Sequence, residues 1–155
     1  MSSQRFLLKG GQILGGKAAD LLIADGQIAQ ISASISDKDA TVIDLKGSIV
    51  LPGLVDLHTH LREPGREDSE TVASASRAGA KGGFTALSAM ANTSPVADTA
   101  GVVEQVYRLG QEAGFVDVFP IGAVTQGLHG EQLSEIGAMA DSVARVRVLS
   151  DDGNC

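Results

Sequence analysis

The stretch Ile49–Gly65, IVLPGLVDLHTHLREPG, is where the rhythm of the chain changes. Before Pro52-Gly53, from Phe6 to Val50, the apolar runs are brief: RFLLKGGQIL, DLLIADGQIAQIS and ATVIDLKGSIV, broken by Gly-Gly, Asp-Gly and Lys-Gly. Runs of that length read as short strands. Asp25-Gly26, between LLIA and QIAQI, is a hairpin signal, because a two-residue type I′ turn needs positive φ at both central positions. Residues 1–52 are therefore expected to form an N-terminal β-module.

After Pro52-Gly53 the order becomes strand, loop, helix, glycine, strand. LVDLHTHL reads as a strand. DSETVASASRAGAKGG reads as a helix opened by an Asp68 or Ser69 cap and closed by Gly82-Gly83. FTALSAM follows as a strand. DTAGVVEQVYRLGQEAG is then a helix with Val102, Val106, Leu109 and Ala113 on one face and Gly114 as its stop. VDVFPIGAV makes a third strand, EQLSEIGAMA holds a weaker helix, and ARVRVL makes a fourth strand. Strands starting near Asp56, Phe84, Val116 and Ala144 recur at about 30 residues, the length of one βαβ unit. Such alternation implies a parallel sheet with covering helices.

A doubly wound open sheet and part of a (β/α)8 barrel both fit that order. The polar residues favour the barrel. They fall at the C-terminal end of each strand: His58, His60 and Arg62, then Asn92 and Thr93, then Thr125 and Gln126, then Asp151 and Asp152. Barrels build their sites at that rim, and the Gly-rich first turn that an open nucleotide-binding sheet would use is missing. The expected fold class is α/β: the first half of a (β/α)8 TIM-type barrel in residues 53–155, preceded by the β-module. Four strands are read where a complete barrel has eight, so the chain looks truncated.

A net charge of -7, a pI near 4.8 and no Lys/Arg cluster argue against a nucleic-acid surface or a polybasic membrane contact. Small molecules or other proteins are the expected partners. MSSQRF opens nothing resembling a signal peptide, and no run approaches the ~18 apolar residues of a membrane span. Cys155 is the single cysteine, so no disulfide framework exists and a reducing compartment is expected. Together these features predict a cytoplasmic protein.

His58 and His60, two of only 3 histidines, share one strand face because side chains alternate with period 2. One metal ion can take both; the competing reading is one packed and one exposed histidine. Asp56, on the same face, could orient a ligand from behind. Histidine with carboxylate suits Zn²⁺ or a similar borderline ion. Arg62 offers a fork of donors that matches a carboxylate, and Asn92 could add an amide hydrogen bond. Arg62 could equally pair with Glu63 or Glu67. Asp151-Asp152-Gly153 reads either as a source of metal ligands or as a cap and turn. His129, in GLHG, is taken as a loop residue without a role, and REDSE as a solvated loop and helix start.

DLHTHLREPG, KGGFTALSAMANTSPVADT and VLSDDG together resemble the N-terminal part of the dihydroorotases, in the amidohydrolase superfamily of cyclic amidohydrolases. The resemblance covers essentially the whole chain, and the Asn-Thr segment with SDDG is its most specific part. It implies that the β-module belongs to a composite β-sandwich domain beside the barrel. It implies that His58 and His60 bind one Zn²⁺, that Asp152 bridges to a second, and that Arg62 and Asn92 hold the substrate carboxylate. The reaction implied is reversible cyclisation of N-carbamoyl-L-aspartate to L-dihydroorotate in de novo pyrimidine biosynthesis, the ion activating water and polarising the ring amide. Ala91 departs from the family, which usually has proline there. Further histidines and the catalytic aspartate, the expected general base, would come from later strands outside this chain. The isolated 155 residues are thus expected to be inactive and to associate with the rest of the barrel or with themselves.

Two other functions compete. A sibling hydantoinase or allantoinase would bridge its metals with a carboxylated lysine on the fourth strand, but Lys9, Lys17, Lys38, Lys46 and Lys81 all lie elsewhere. A catalytically inactive homologue that scaffolds aspartate transcarbamoylase is the third reading.

Overall fold

The structure is a computed structural model that describes residues 4–153; Cys155 lies outside them. It is a mixed α/β chain of two compact units that divide between Pro52 and Gly53.

The first unit is one sheet. Its strands are β1 (Arg5–Ile13), β2 (Ala18–Ala24), β3 (Gln27–Ser32), β4 (Thr41–Asp44) and β5 (Ile49–Val50). The order is β3-β2-β1-β4, with β5 also on β1; β2 runs antiparallel to both neighbours, whereas β4 and β5 run parallel to β1. Asp25 and Gly26 have φ of 53° and 73° and join the Ala24–Gln27 pair, as the type I′ turn requires. Gly10-Gly11, expected to break its run, instead lies inside β1 as a bulge where the pairing slips between Leu8 and Gly11. Gly10 has φ of 73°, and its amide donates to Asp20 Oδ1 at 3.0 Å. Leu7, Leu22 and Ile35 are the buried core of this unit.

Asp20 is the buried charge that ties the sheet to the segment after it. Its Oδ2 accepts the Ile35 amide at 2.9 Å, and Lys9 Nζ stands 3.7 Å away. The Ile35 hydrogen bond, then that of Gly10 and the charge of Lys9, outweigh burial and hold the carboxyl below its ordinary value.

The second unit carries a parallel sheet of β6 (Leu54–Thr59), β7 (Phe84–Ala89) and β8 (Asp117–Pro120) in that order. Helix α1 (Val72–Lys81) follows β6, α2 (Ala100–Ala113) follows β7, and α3 (Ile136–Asp141) lies after β8. The expected cap of α1 at Asp68 or Ser69 is not where the helix begins. Residues 66–70 form a turn on the Arg66 carbonyl, and Thr71 is the cap, its Oγ1 accepting the Ser74 amide at 3.1 Å while Ser74 Oγ takes the Thr71 amide. Gly114, with φ of 66°, stops α2 as its sequence suggests.

The fourth expected strand, ARVRVL, is reduced to one parallel bridge, Gly122 to Leu149. Arg145, with φ of 47°, breaks the extended run, and the amides of Arg145 and Val146 bond to Ser142 and Met139 at the end of α3. The segment still reaches the sheet, because Ser150 donates to the Gly122 carbonyl at 2.9 Å. Val72, Leu87, Val106 and Val118 form one core cluster; Ala91, Val103, Ala123 and Met139 form a second under the loops. Ala91, which stands where the resembled family usually has proline, is fully buried there. No helix among the described residues is long and apolar enough to cross a membrane.

Two expectations follow from the packing. A Cβ at Gly110 would stand 2.5 Å from Val118 Cβ, so Gly110→Ala forces α2 off β8; a loss of about 1 to 3 kcal/mol is expected for such overpacking. Urea unfolding with an unchanged midpoint would mean that the two elements are not in close contact. Asp20 has a depressed folded-state value, so its contribution is complete above the ordinary carboxylate range and is lost as pH falls below that range and on through the depressed value. Asp20→Asn should therefore flatten the acid limb of the stability curve, measured by denaturant midpoints at stepwise lower pH.

Candidate metal centre

The C-terminal end of β6 is fastened to β7 on both sides of Thr59: its Oγ1 donates to the Ser88 carbonyl at 2.8 Å, and its carbonyl accepts the Met90 amide at 2.8 Å. Between Asp56 and Thr59 the pairing slips. In that irregular stretch Asp56 Oδ1 accepts the His58 backbone amide at 3.0 Å. The expectation that Asp56 supports an imidazole is thus corrected: it supports the backbone that carries one. His58 ends up exposed and His60 half-buried, with ring centroids 5.2 Å apart at 69°.

Asp152 faces both rings. Its Oδ1 lies 3.2 Å from His58 Nε2 and 3.9 Å from His60 Nε2. Asp151 faces the other way. One of its oxygens accepts the amides of Val124 (2.7 Å) and Thr125 (3.0 Å), and the other accepts Thr125 Oγ1 at 2.6 Å. Burial opposes the Asp151 charge, but these bonds prevail and hold its carboxyl below the ordinary value. Asp152 has φ of 54°, a left-handed turn braced by the bond from its amide to Ser150 Oγ. That turn lets adjacent carboxylates serve opposite directions.

Asn92 sits between the ligand candidates. Its Nδ2 donates to Asp152 Oδ2 at 2.6 Å, and its Oδ1 is 3.0 Å from His60 Nδ1. A carboxylate only accepts, so the amide nitrogen must face Asp152 and the amide oxygen must face the histidine. His60 Nδ1 then carries the hydrogen, and a neutral His60 turns the lone pair of Nε2 towards Asp152 Oδ1. Two acceptors facing each other call for a cation between them.

The donor set fits such an ion. The three candidate ligand atoms lie within 4.8 Å of one another. Ligand atoms on one tetrahedral ion with bonds of ~2.1 Å stand about 3.0 to 3.5 Å apart, a range that the His58–Asp152 separation meets and the His60–Asp152 separation slightly exceeds. Two imidazoles and a carboxylate suit a borderline divalent metal.

Arg62 follows the site on a loop held from two sides. Its φ is 63°. Neither neighbouring glutamate turns to it: Glu63 Oε2 accepts the Val72 amide at the start of α1, and Glu67 Oε1 accepts the Gly65 amide, both at 2.8 Å. Ser94 donates to the Pro64 carbonyl at 2.9 Å, and a Cβ at Gly65, whose φ is 100°, would meet the Ser94 carbonyl oxygen. The loops bearing Arg62 and Asn92 therefore lie against each other. Thr93 is buried and bonds the Pro95 carbonyl, and Gln126 reaches the Leu133 carbonyl, so both are structural. His129 is exposed at the end of the 3₁₀ turn Gln126–Leu128, apart from the cluster. The roles of Asp151 and Glu63 carried no signal in sequence, since their partners are 26 and 9 residues away.

The Dihydro-orotase-like family matches residues 47–154. The dihydroorotase of Leifsonia xyli subsp. xyli is 61% identical over 155 residues, which is 100% of this chain and 35% of that protein. The dihydroorotase of Streptomyces coelicolor is 59% identical over 149 residues, 96% of this chain and again 35% of the relative. The chain thus spans about a third of the length of the curated relatives it matches. Among solved structures, the L-hydantoinase (dihydropyrimidinase) of Arthrobacter aurescens superposes with a TM-score of 0.65 at 28% identity, covering 79% of this chain and 29% of that one. A dihydroorotase crystal structure at 18% identity, TM-score 0.57, shares the fold over 79% of this chain and 32% of its own. A family match across most of the sequence, with relatives near 60% identity from end to end, means that the chain belongs to the dihydroorotase-like family.

Proposed function

We propose that the chain is the amino-terminal part of a zinc-dependent cytoplasmic dihydroorotase, interconverting N-carbamoyl-L-aspartate and L-dihydroorotate in pyrimidine synthesis. In this reading residues 53–155 are the first half of a (β/α)8 barrel and residues 1–52 part of a β-sandwich domain, both completed by further polypeptide. The observation that carries it is the position of Asp152 Oδ1, 3.2 and 3.9 Å from the two Nε2 atoms, at the carboxyl ends of parallel strands.

His58 and His60 would hold a Zn²⁺ ion through Nε2, with Asp152 as the third ligand and the bridge to a second ion. When bound, such an ion polarises an amide carbonyl and acidifies water. Arg62 binds and orients the substrate carboxylate: its guanidinium supplies the local cation that an acidic substrate needs in a protein of net charge -7. Asn92 Nδ2, with one hydrogen on Asp152, has its second for a substrate oxygen. Asp151 takes no part in proton transfer; it anchors the turn that aims Asp152. The general base belongs to the polypeptide beyond these residues.

A sibling hydantoin-type activity is favoured by the similarity to the L-hydantoinase structure. Against it stands the carboxylate Asp152 where a lysine would be needed; the last lysine in the chain is Lys81. Parallel assays with dihydroorotate and a hydantoin separate the two.

In the full-length protein, His58→Ala and His60→Ala should each abolish dihydroorotate hydrolysis and lower bound zinc, read by metal analysis of the purified variants. Full activity in either would sink the proposal. Arg62→Lys keeps the charge and loses the fork, at a cost on the order of 1 to 3 kcal/mol. The expected result is a KM for dihydroorotate raised roughly 5- to 150-fold with metal content unchanged. An unaltered KM would mean that Arg62 points elsewhere.

A further inference from the structure

The contacts of Asn92 point to a role beyond substrate binding. Its side chain is half-buried at the C-terminal side of β7 and joins two residues from different parts of the chain, 32 positions back to His60 and 60 positions forward to Asp152. Both contacts are made by one rigid amide plane. The bond to Asp152 fixes which end is nitrogen, and that choice fixes the oxygen at His60 Nδ1. We infer that Asn92 is a positioning residue for the metal ligands, holding His60 as the Nδ1–H tautomer and turning the Asp152 carboxylate so that Oδ1 faces both histidines. The inference rests on the metal reading above and deepens it.

The physical need is specific. Left alone, an imidazole distributes its hydrogen between two nitrogens, and the form protonated at Nε2 cannot ligate through that atom. An acceptor held at Nδ1 removes the unproductive form. The carboxylate likewise has two oxygens, and the bond from Asn92 Nδ2 engages Oδ2, leaving Oδ1 for the histidine side. One side chain thus sets the donor atoms of two ligands at once, in the manner of the outer-shell groups that orient first ligands in metal sites. Asp56 does not supply this function, since its carboxylate is on the His58 backbone.

The test uses the full-length protein with isotope-labelled histidine at mildly alkaline pH, where imidazole is neutral, the His60 signals being assigned by their absence from a His60→Gln variant. Nitrogen NMR before any metal is added should read Nδ1–H for His60. Asn92→Leu, close in size but without either polar group, should release His60 into a mixture of tautomers. Asn92→Asp keeps an acceptor for Nδ1–H and should preserve the tautomer, which a general loss of folding would not. Zn²⁺ titration should then give Asn92→Leu an affinity about 10- to 100-fold weaker than the parent chain. His60 carrying Nε2–H in the parent chain, or an Asn92→Leu variant with the parent's tautomer and zinc affinity, would overturn the inference. A parent chain that binds no zinc, yet whose tautomer follows the Asn92 substitutions, would defeat the metal reading while upholding the role of Asn92.

Discussion

The carboxylate of Asp151, bonded to the amides of Val124 and Thr125 and to the Thr125 hydroxyl, decides what the carboxyl end of the sheet can do. A half-buried carboxylate is stabilised by donors, and here they come from the loop beyond β8. Those bonds lock residues 150–153 onto that loop. With Asp151 held on that loop, the left-handed turn at Asp152 directs its carboxylate beside His58 and His60. The same Thr125 hydroxyl accepts the Gly130 amide, so the anchor also steadies the loop that follows. A site assembled this way needs no continuous fourth strand, only the bridge at Gly122 and Leu149 that brings the segment alongside.

Around that anchor the remaining parts are joined in pairs. β6 brings the histidines, the loop after β7 brings Asn92, and the loop after β6 brings Arg62. Each pair of elements is tied by a backbone bond close to the functional residue: Met90 to Thr59, Ser94 to Pro64, Ile121 to Ala89. Glu63 adds a further tie by lying on the first amide of α1, where the helix dipole favours a negative charge. Both glutamates beside Arg62 are therefore bound to backbone amides.

Much of this was legible in the sequence wherever the signal is local. The Asp25-Gly26 turn, the glycine stop of α2 and the paired histidines all depend on residues within a few positions of each other, where backbone geometry dictates the outcome. His58 and His60 could be paired by alternation, although the pairing slip between Asp56 and Thr59 shows that strict alternation is interrupted there. Signals failed where the partner is distant. The cap of α1 moved to Thr71, whose Oγ1 accepts the Ser74 amide, while Glu63, 9 residues before Val72, accepts the first amide of the helix. ARVRVL has the composition of a strand, but α3 competes for its backbone through Ser142 and Met139. Whether Asp151 or Asp152 faces the histidines depends on a turn at Asp152 that composition does not encode.

The separations of 32 and 60 residues that Asn92 spans also set an order in time. During synthesis the two imidazoles leave the ribosome first, Asn92 next, and Asp152 last. At ~5 to 20 residues per second, the 60-residue interval lasts about 3 to 12 s. Through those seconds the carboxylate that fixes the orientation of the Asn92 amide has yet to appear, so the amide plane is free to turn either end towards His60. The three side chains are thus set together, by the last of them to be made.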